Sequence, residues 1–298
     1  MITLSYDLAF VGNVAFDEIH PFQGETHTLF GSAVYFAAMA ASWSDKRIAL
    51  ITRMAERDGH LLDPMRKTGI AVHISPSAET TYHRGIFPTE NIDDRQITLV
   101  KRAGFFTMAD LPAMEPTFVN LASVTNQDFT IDFIRGLRDR GFACAVDMQS
   151  FVRNVDERTG AVSFADVAAK KEIAGMAKGV KLDVVEAEYL CGTADLEQAA
   201  MQFEEWGTSE TMVTQADGVL VRHKSKTYFE RFTNRSIVGR TGRGDTVFGA
   251  YLVRRMDYGV ADSLRFAAAL VSIKMETPGP FKGTLEEVLD RMRRDYSS

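Results

Sequence analysis

The chain has 298 residues, of which 45% are hydrophobic, and a formal net charge of −6. This length and apolar content suit a single α/β domain with a sizeable core. The acidic balance argues against non-specific binding of nucleic acid. The sequence shows neither an apolar run of membrane-spanning length nor a basic, cleavable leader, so we expect a cytoplasmic protein without a membrane partner.

The first informative stretch is a short apolar run, Asp7 to Asn13, that ends in Gly-Asn. It predicts a buried strand whose end faces a ligand. Asp17 follows Asn13 by four residues. A carboxylate that accepts two hydroxyl hydrogen bonds is a common means of holding a polyol, and an ordinary turn aspartate is the alternative interpretation of Asp17.

Strand-like and helix-like segments then alternate along the chain. Strands are predicted at 47–51, 70–74, 118–121 and 143–147, and helices at 58–68 and 129–140. This alternation predicts one doubly wound, mostly parallel sheet. The segment 22–30 predicts one or two exposed strands, and 82–87 and 95–100 have the alternating pattern of two-sided strands with a polar loop between them. His73 and His83 lie on predicted strands and receive no role from the sequence.

Two pairs of polar residues in the middle of the chain are candidates for binding or for helix capping. Gln149 and Arg153 come after the predicted strand that ends at Asp147, at the sheet edge where open α/β folds bind ligands, although a solvated loop is equally compatible. Asp183 and Glu186 have the spacing of a helix N-cap and its N3 partner.

The most informative stretch is Gly239-Arg240-Thr241-Gly242-Arg243-Gly244-Asp245-Thr246, followed by a predicted helix at 247–256. The first turn of a helix leaves backbone N–H groups unpaired, and glycines let an anion approach them closely. An anion hole beside a carboxylate base is what phosphoryl transfer to a hydroxyl requires. The competing interpretation makes Asp245 a helix cap and the glycines a simple turn.

The segment Thr241 to Asp245 resembles the Thr-Gly-Ala-Gly-Asp signature of the PfkB carbohydrate kinases, the ribokinase-like family. The resemblance extends over almost the whole chain in the expected order. It implies a ribokinase-like α/β fold in one domain over 1–298, with a doubly wound, mostly parallel sheet flanked by helices. It also implies a small β-sheet lid, with strands inserted at about 13–31 and 81–101.

The resemblance also implies roles for residues. It makes Asp245 the catalytic base, with the backbone of Gly242, Arg243 and Gly244 as the anion hole. The implied acceptor-binding residues are Asn13, Asp17, Gly31, Ser32, Gln149 and Arg153. The implied donor-binding residues are Asp183, Thr214, Arg240 and Thr241, with ATP as donor. Glu186 is implied to position Mg²⁺ through water.

Three departures from the family pattern qualify these expectations. Phe30 replaces the first glycine of a Gly-Gly hinge, which implies a stiffer or displaced hinge. Gly239 and Arg240 replace an Asp-Thr pair near the family's monovalent-cation site, so potassium activation is not expected. Arg243 replaces alanine inside the anion hole, where its guanidinium could reach a phosphate. Arg240 could instead do the work of a potassium ion, or either arginine could be structural.

The sequence therefore predicts ATP-dependent phosphorylation of a hydroxyl on a small sugar or polyol. The alternatives are a nucleoside or inositol kinase of the same fold and a non-catalytic, sugar-binding regulator. A homodimer through the lid is also compatible with the pattern. A dinucleotide-binding dehydrogenase is disfavoured, because no Gly-x-Gly-x-x-Gly follows the first strand.

Overall fold

A nine-stranded sheet forms the centre of the computed structural model, which describes residues 3–90 and 96–296. Its strand order is β15-β14-β13-β12-β9-β8-β1-β4-β5. These strands are β1 (Leu8–Val11), β4 (Ile48–Met54), β5 (Ala71–Pro76), β8 (Phe118–Leu121), β9 (Ala143–Asp147), β12 (Ala177–Asp183), β13 (Glu210–Thr214), β14 (Gly218–His223) and β15 (Lys226–Arg231). The strands from β5 to β13 are parallel, and β14 and β15 continue the sheet antiparallel. The predicted doubly wound, mostly parallel sheet is confirmed.

Helices cover both faces of this sheet. One layer contains α1 (Ala33–Met39), α8 (Arg243–Arg254), α9 (Val260–Met275) and α10 (Leu285–Asp295). The other contains α3 (Ile131–Asp139), α5 (Lys170–Met176), α6 (Val184–Cys191) and α7 (Leu196–Glu205). The short α2 (Asp63–Arg66) follows a 3₁₀ helix (Glu56–Leu62), and α4 (Gln149–Val152) follows β9. Among the described residues, no helix is long and apolar enough to cross a membrane.

A second, four-stranded sheet has the order β3-β2-β6-β7. Its strands are β2 (Ala15–His20), β3 (His27–Gly31), β6 (Thr81–Ile86) and β7 (Gln96–Lys101). β2 and β6 pair in parallel and place Asp17 beside His83. Asp17 thus lies in a strand rather than in a turn. The predicted strand residue Arg95 and the predicted loop at 91–94 lie outside the described residues. A two-stranded hairpin, β10 (Arg153–Val155) and β11 (Val162–Phe164), completes the fold.

The carboxyl ends of the parallel strands bring the predicted polar residues to one edge. β1 ends just before Asn13, β9 just before Gln149, β12 at Asp183 and β13 at Thr214. The chain leaves β1 first towards β4 and β5 and later returns on its other side with β8. Such a switch in strand order leaves a crevice at the carboxyl edge, where open α/β sheets bind ligands.

Candidate active site

A cavity of about 330 Å³ lies at this carboxyl edge, between the four-stranded sheet and the N-terminus of α8. Most of the residues singled out by the sequence line it: Asp17, Ser32, Gln149, Arg153, Asp183, Thr214, Arg240, Thr241, Gly242, Arg243, Gly244 and Asp245. Asn13, Gly31 and Glu186 do not line it and lie behind it. The structure therefore brings residues from six separate stretches of the chain to one place.

α8 begins at Arg243, four residues before the predicted start. Its N-cap is Gly242, which has a left-handed backbone with φ of 76° and gives the helix no side-chain cap. A Cβ atom at this position would lie 2.4 Å from the Phe36 ring, so only glycine fits. The N–H groups of residues 242–245 have no acceptor within the helix. The N–H of Arg243 instead donates to the carbonyl of Arg240 at 3.1 Å.

Asp245 is the third residue of α8 and faces the cavity. Its Oδ1 atom is buried and has no hydrogen-bond partner among the described residues. The interpretation of Asp245 as the helix cap is therefore wrong, because Gly242 occupies the N-cap position. A buried carboxylate oxygen without a partner is uncommon in proteins, and here it lies beside the unpaired N–H groups of the first turn.

Basic side chains surround this helix N-terminus. Lys181 Nζ lies 3.1 Å from both carboxylate oxygens of Asp147, and a Cβ at Gly244 would lie 3.1 Å from the same nitrogen. Burial acts to lower the pKa of Lys181, but the carboxylates of Asp147 and Glu186 raise it above its usual value. Lys181 is therefore a fixed positive charge next to the first turn of α8, a feature that sequence reasoning missed.

The side chain of Arg243 extends away from the helix. One guanidinium nitrogen donates to the carbonyl of Ala216 at 3.0 Å, and the group lies 5.8 Å from the centre of the Phe232 ring. The guanidinium therefore links the signature loop, residues 239–245, to the β13–β14 turn. Arg240 also lines the cavity, so two guanidinium groups lie near this end of it.

The opposite end of the cavity is built by the four-stranded sheet. The Nδ1 atom of His83 lies 3.1 Å from Asp17 Oδ1, while its Nε2 atom is buried and has no partner among the described residues. Gln149 is held by a hydrogen bond from its Nε2 to the carbonyl of Ser123 at 2.8 Å. His83 was given no role from the sequence, and only the pairing of β2 with β6 reveals that it adjoins Asp17.

Asn13 supports this end from behind, and Ser32 lines it. Asn13 donates from its backbone N–H and its Nδ2 to the carboxylate of Asp128, at 2.8 and 2.9 Å. Burial raises the pKa of Asp128 to about 6. Ser32 has a φ of 104°, a strained value for a residue with a Cβ, and its hydroxyl donates to the carbonyl of Asn13 at 2.7 Å. This strained residue directly follows Gly31, the remaining glycine of the altered hinge.

Asp183 and Glu186 form the capping box that the sequence predicts, with each side chain accepting the other's backbone N–H at 2.8 Å. The other oxygen of Glu186 accepts from Arg153 at 3.3 Å. Burial and the neighbouring Asp183 raise the pKa of Glu186 to about 7. Because both oxygens of Glu186 are engaged, it fits water-mediated contact with a metal ion better than direct ligation. Within the described ranges, no cluster of three or more ligating side chains could hold a metal.

Similarity to known proteins gives the family and the fold independently of this geometry. Residues 139–286 match the profile of the pfkB family carbohydrate kinase. Over this stretch the chain belongs to the PfkB family of carbohydrate kinases. It is accordingly a phosphotransferase that acts on an alcohol group. The chain matches no curated protein sequence.

Several solved structures are similar to the chain over nearly its whole length. A pyrophosphate-dependent kinase in the ribokinase family, as its sulfate complex, is 29% identical with a TM-score of 0.87, covering 95% of this chain and 99% of its own. A structure of such a kinase with a pyrophosphate analog and myo-inositol is 28% identical with a TM-score of 0.85 and the same coverage. Arabidopsis thaliana ribokinase with ribose and ATP is 18% identical with a TM-score of 0.73, covering 97% of this chain and 99% of its own, and supports the fold alone.

Proposed function

We propose that the protein transfers a phosphoryl group to a hydroxyl of a small, uncharged polyol, with an inositol-like ring as the first candidate. The observation that carries this proposal is the unpartnered Oδ1 of Asp245, in a cavity that also holds the unpaired first-turn N–H groups of α8. A buried polar atom without a partner is best explained by a ligand that supplies one.

The end of the cavity near the four-stranded sheet suits the acceptor. Asp17 offers carboxylate oxygens and His83 a buried, unpartnered Nε2, so neighbouring hydroxyl groups can be held as both donors and acceptors. Arg153 is engaged by Glu186 and does not leave an uncompensated charge for an anionic acceptor. A neutral molecule with several hydroxyl groups meets these requirements, and the similar kinase is complexed with myo-inositol.

The reaction uses Asp245 as general base. Its carboxylate takes the proton from the acceptor hydroxyl while that oxygen forms a bond to the terminal phosphorus of the donor. The bond between this phosphorus and the bridging oxygen breaks, and the remaining phosphate leaves with the electron pair. The N–H groups of Gly242 and Gly244 hold the charge on the phosphoryl oxygens, and Lys181 adds a positive charge beside them.

Mg²⁺ would be held mainly by the phosphates of the donor, with Asp183 contacting its water molecules and Glu186 acting through Asp183. Such an ion neutralises charge on the transferred group. Asp183 is the one of the two that lines the cavity, while Glu186 fixes its orientation through the capping box.

The sequence and the site favour different phosphoryl donors. The sequence predicts ATP. The site favours inorganic pyrophosphate, because Arg240 and Arg243 concentrate positive charge near the hole and Arg243 spans the space towards the β13–β14 turn. The similar pyrophosphate-dependent kinases support the same choice.

A matrix of donors and acceptors tests the proposal. Purified protein is incubated with Mg²⁺ and either pyrophosphate or ATP, against inositols, pentoses, ketohexoses and nucleosides, and phosphate or ADP release is measured. We expect acceptor-dependent release with myo-inositol or a close relative, and faster release with pyrophosphate. Binding of a polyol without turnover from either donor would instead favour the non-catalytic regulator.

A homodimer through the four-stranded sheet is a further part of the proposal. Leu29, Ile86 and Val100 are apolar side chains of this sheet that are at least 40% exposed. Light scattering on the wild type and on a Leu29→Glu, Val100→Glu variant tests it: a loss of mass to that of the monomer supports a dimer through this surface.

A further inference from the structure

Lys274 is a buried lysine in the last turn of α9, and only 1% of it is exposed to solvent. Lysine is almost never fully buried unless its charge is compensated. Here the ammonium donates to the carbonyl oxygens of Gly239 and Thr241, and it lies 4.8 Å from the centre of the Phe36 ring. Its partners are thus two backbone carbonyls and the face of an aromatic ring, a set that suits a desolvated monovalent cation.

Both carbonyls belong to the loop that leads into α8. Gly239 is pressed against the end of α9, where its N–H donates to the carbonyl of Met275 at 2.9 Å. A Cβ at Gly239 would lie 1.9 Å from the carbonyl oxygen of Thr277, so no larger residue fits there. The loop therefore adds its carbonyls to the negative carboxyl end of a helix, and a cation is needed to keep these oxygens together.

Phe36 connects the ammonium to the other end of the same loop. Its ring lies against Lys274 and also fills the space where a Cβ of Gly242 would be. Lys274 thus fixes the loop at Gly239 and Thr241 directly and supports Gly242 through Phe36. Gly242 is the N-cap of α8, so the direction of the first-turn N–H groups and the position of Asp245 depend on this arrangement.

We propose that the Lys274 ammonium is a built-in monovalent cation that positions the signature loop for phosphoryl transfer. The proposal rests on the proposed function of that loop, and it makes Lys274 a positioning residue that does not contact the substrate. Burial lowers the pKa of Lys274 to about 8, so the group stays mostly charged at neutral pH. The assignment of this work to Lys274 replaces the sequence-based suggestion that Arg240 does it.

Removal of the side chain leaves a space for a small cation between the same carbonyls. We expect Lys274→Ala to lower kcat by about 100-fold, the order of loss that a misplaced reacting geometry causes. Added ammonium or potassium should restore at least a tenth of the wild-type rate and raise the Tm of this variant. The wild type should respond to neither ion beyond the ionic-strength effect, which sodium or choline chloride controls.

Lys170→Ala is the matched control. Lys170 also donates to a backbone carbonyl, that of Leu190 at 2.7 Å, and lies 5.8 Å from the centre of the Trp206 ring, but it belongs to α5, outside the candidate site. Its kcat should equal that of the wild type, and ammonium should not change it. If the alanine variant does not fold, Lys274→Arg and Lys274→Met replace it. The methionine variant should lose activity, and added ammonium or potassium should not restore it.

The outcomes separate this inference from the proposed function. Full turnover in Lys274→Ala, or lost turnover with neither rescue nor a Tm increase in ammonium, would overturn the role of Lys274 while leaving the kinase intact. A wild type without turnover on any donor and acceptor would instead refute the proposed function. In that case the ammonium-dependent Tm of Lys274→Ala against Lys170→Ala still decides whether the site between the two carbonyls binds a cation.

Discussion

Two cavities of similar size lie at opposite edges of the central sheet, and α8 runs between them. The first, of about 330 Å³, is the candidate active site at the carboxyl edge. The second, of about 390 Å³, lies at the amino edge and is lined by Met212, Phe248, Leu252 and other apolar residues. The larger one is thus the less polar, and volume alone does not distinguish the two.

The partners of the polar groups do distinguish them. In the second cavity Glu210 accepts from Tyr251 Oη at 2.6 Å and from Arg255 Nε at 3.0 Å, so these three side chains satisfy one another. In the first cavity Asp245 Oδ1 and His83 Nε2 are buried without partners among the described residues. The comparison teaches that unsatisfied polar atoms, rather than space, distinguish the end of α8 that we propose to act on a ligand.

The largest effect should come from Asp245→Asn. Loss of the general base should lower kcat by about 10³-fold, while the far-UV CD spectrum and Tm stay close to those of the wild type. Steady-state kinetics with the best donor and acceptor measure this loss. Unchanged turnover would show that Asp245 is not the general base, and its unpartnered oxygen would then no longer set the first cavity apart from the second.

Arg243→Met should weaken the donor end specifically. Loss of a charged hydrogen-bond donor should raise the KM for pyrophosphate by about tenfold or more, with little change in the KM for the acceptor. Initial rates at varied donor and at varied acceptor separate the two constants. A change only in the KM for the acceptor would contradict this prediction, because it would place Arg243 at the acceptor end of the cavity.

Asp128 should make stability depend on pH. Its pKa is raised to about 6 in the folded protein from a usual value of 3.8, so the protonated form stabilises the fold. Its contribution to the free energy of unfolding is complete below pH 3.8 and is lost as the pH rises through 6. Each unit of difference between the folded and unfolded pKa is worth about 1.4 kcal/mol. In urea unfolding between pH 4 and 7, the free energy of unfolding should therefore depend less steeply on pH for Asp128→Asn than for the wild type. Equal slopes for the two proteins would contradict the burial argument.

The smallest effect should come from Tyr251→Phe, which alters the second cavity in the same helix as Asp245. Loss of the hydrogen bond to Glu210 should lower the free energy of unfolding by about 1 kcal/mol and leave kcat unchanged. Urea unfolding and initial rates measure the two quantities. A large loss of kcat would show that the amino edge contributes to the reaction.

Local patterns predicted much of the fold and of the site. The alternation of strands and helices gave the parallel sheet, and strand ends such as Thr214 therefore lie at one edge. The capping box of Asp183 and Glu186 could be predicted because it depends on residues three apart. The start of α8 at Arg243 was missed because glycine and aspartate have low helix propensity, and the fold overrides it here.

Contacts between distant segments could not be predicted. Asp17 and His83 are 66 residues apart, and only the register of β2 with β6 brings them together. In the sequence, nothing distinguishes Lys274 from other lysines near helix ends, because its partners lie more than 30 residues earlier in the chain. Both depend on tertiary packing, which a sequence pattern with a period of two or 3.6 residues does not encode.

The most direct test of the central claim is a ³¹P NMR time course on the wild-type protein with pyrophosphate, Mg²⁺ and myo-inositol. The account predicts that a phosphomonoester signal grows in equal amount with inorganic phosphate and that neither grows in the Asp245→Asn variant. Growth of inorganic phosphate without an ester, or an ester formed equally well by the variant, would contradict phosphoryl transfer at the N-terminus of α8.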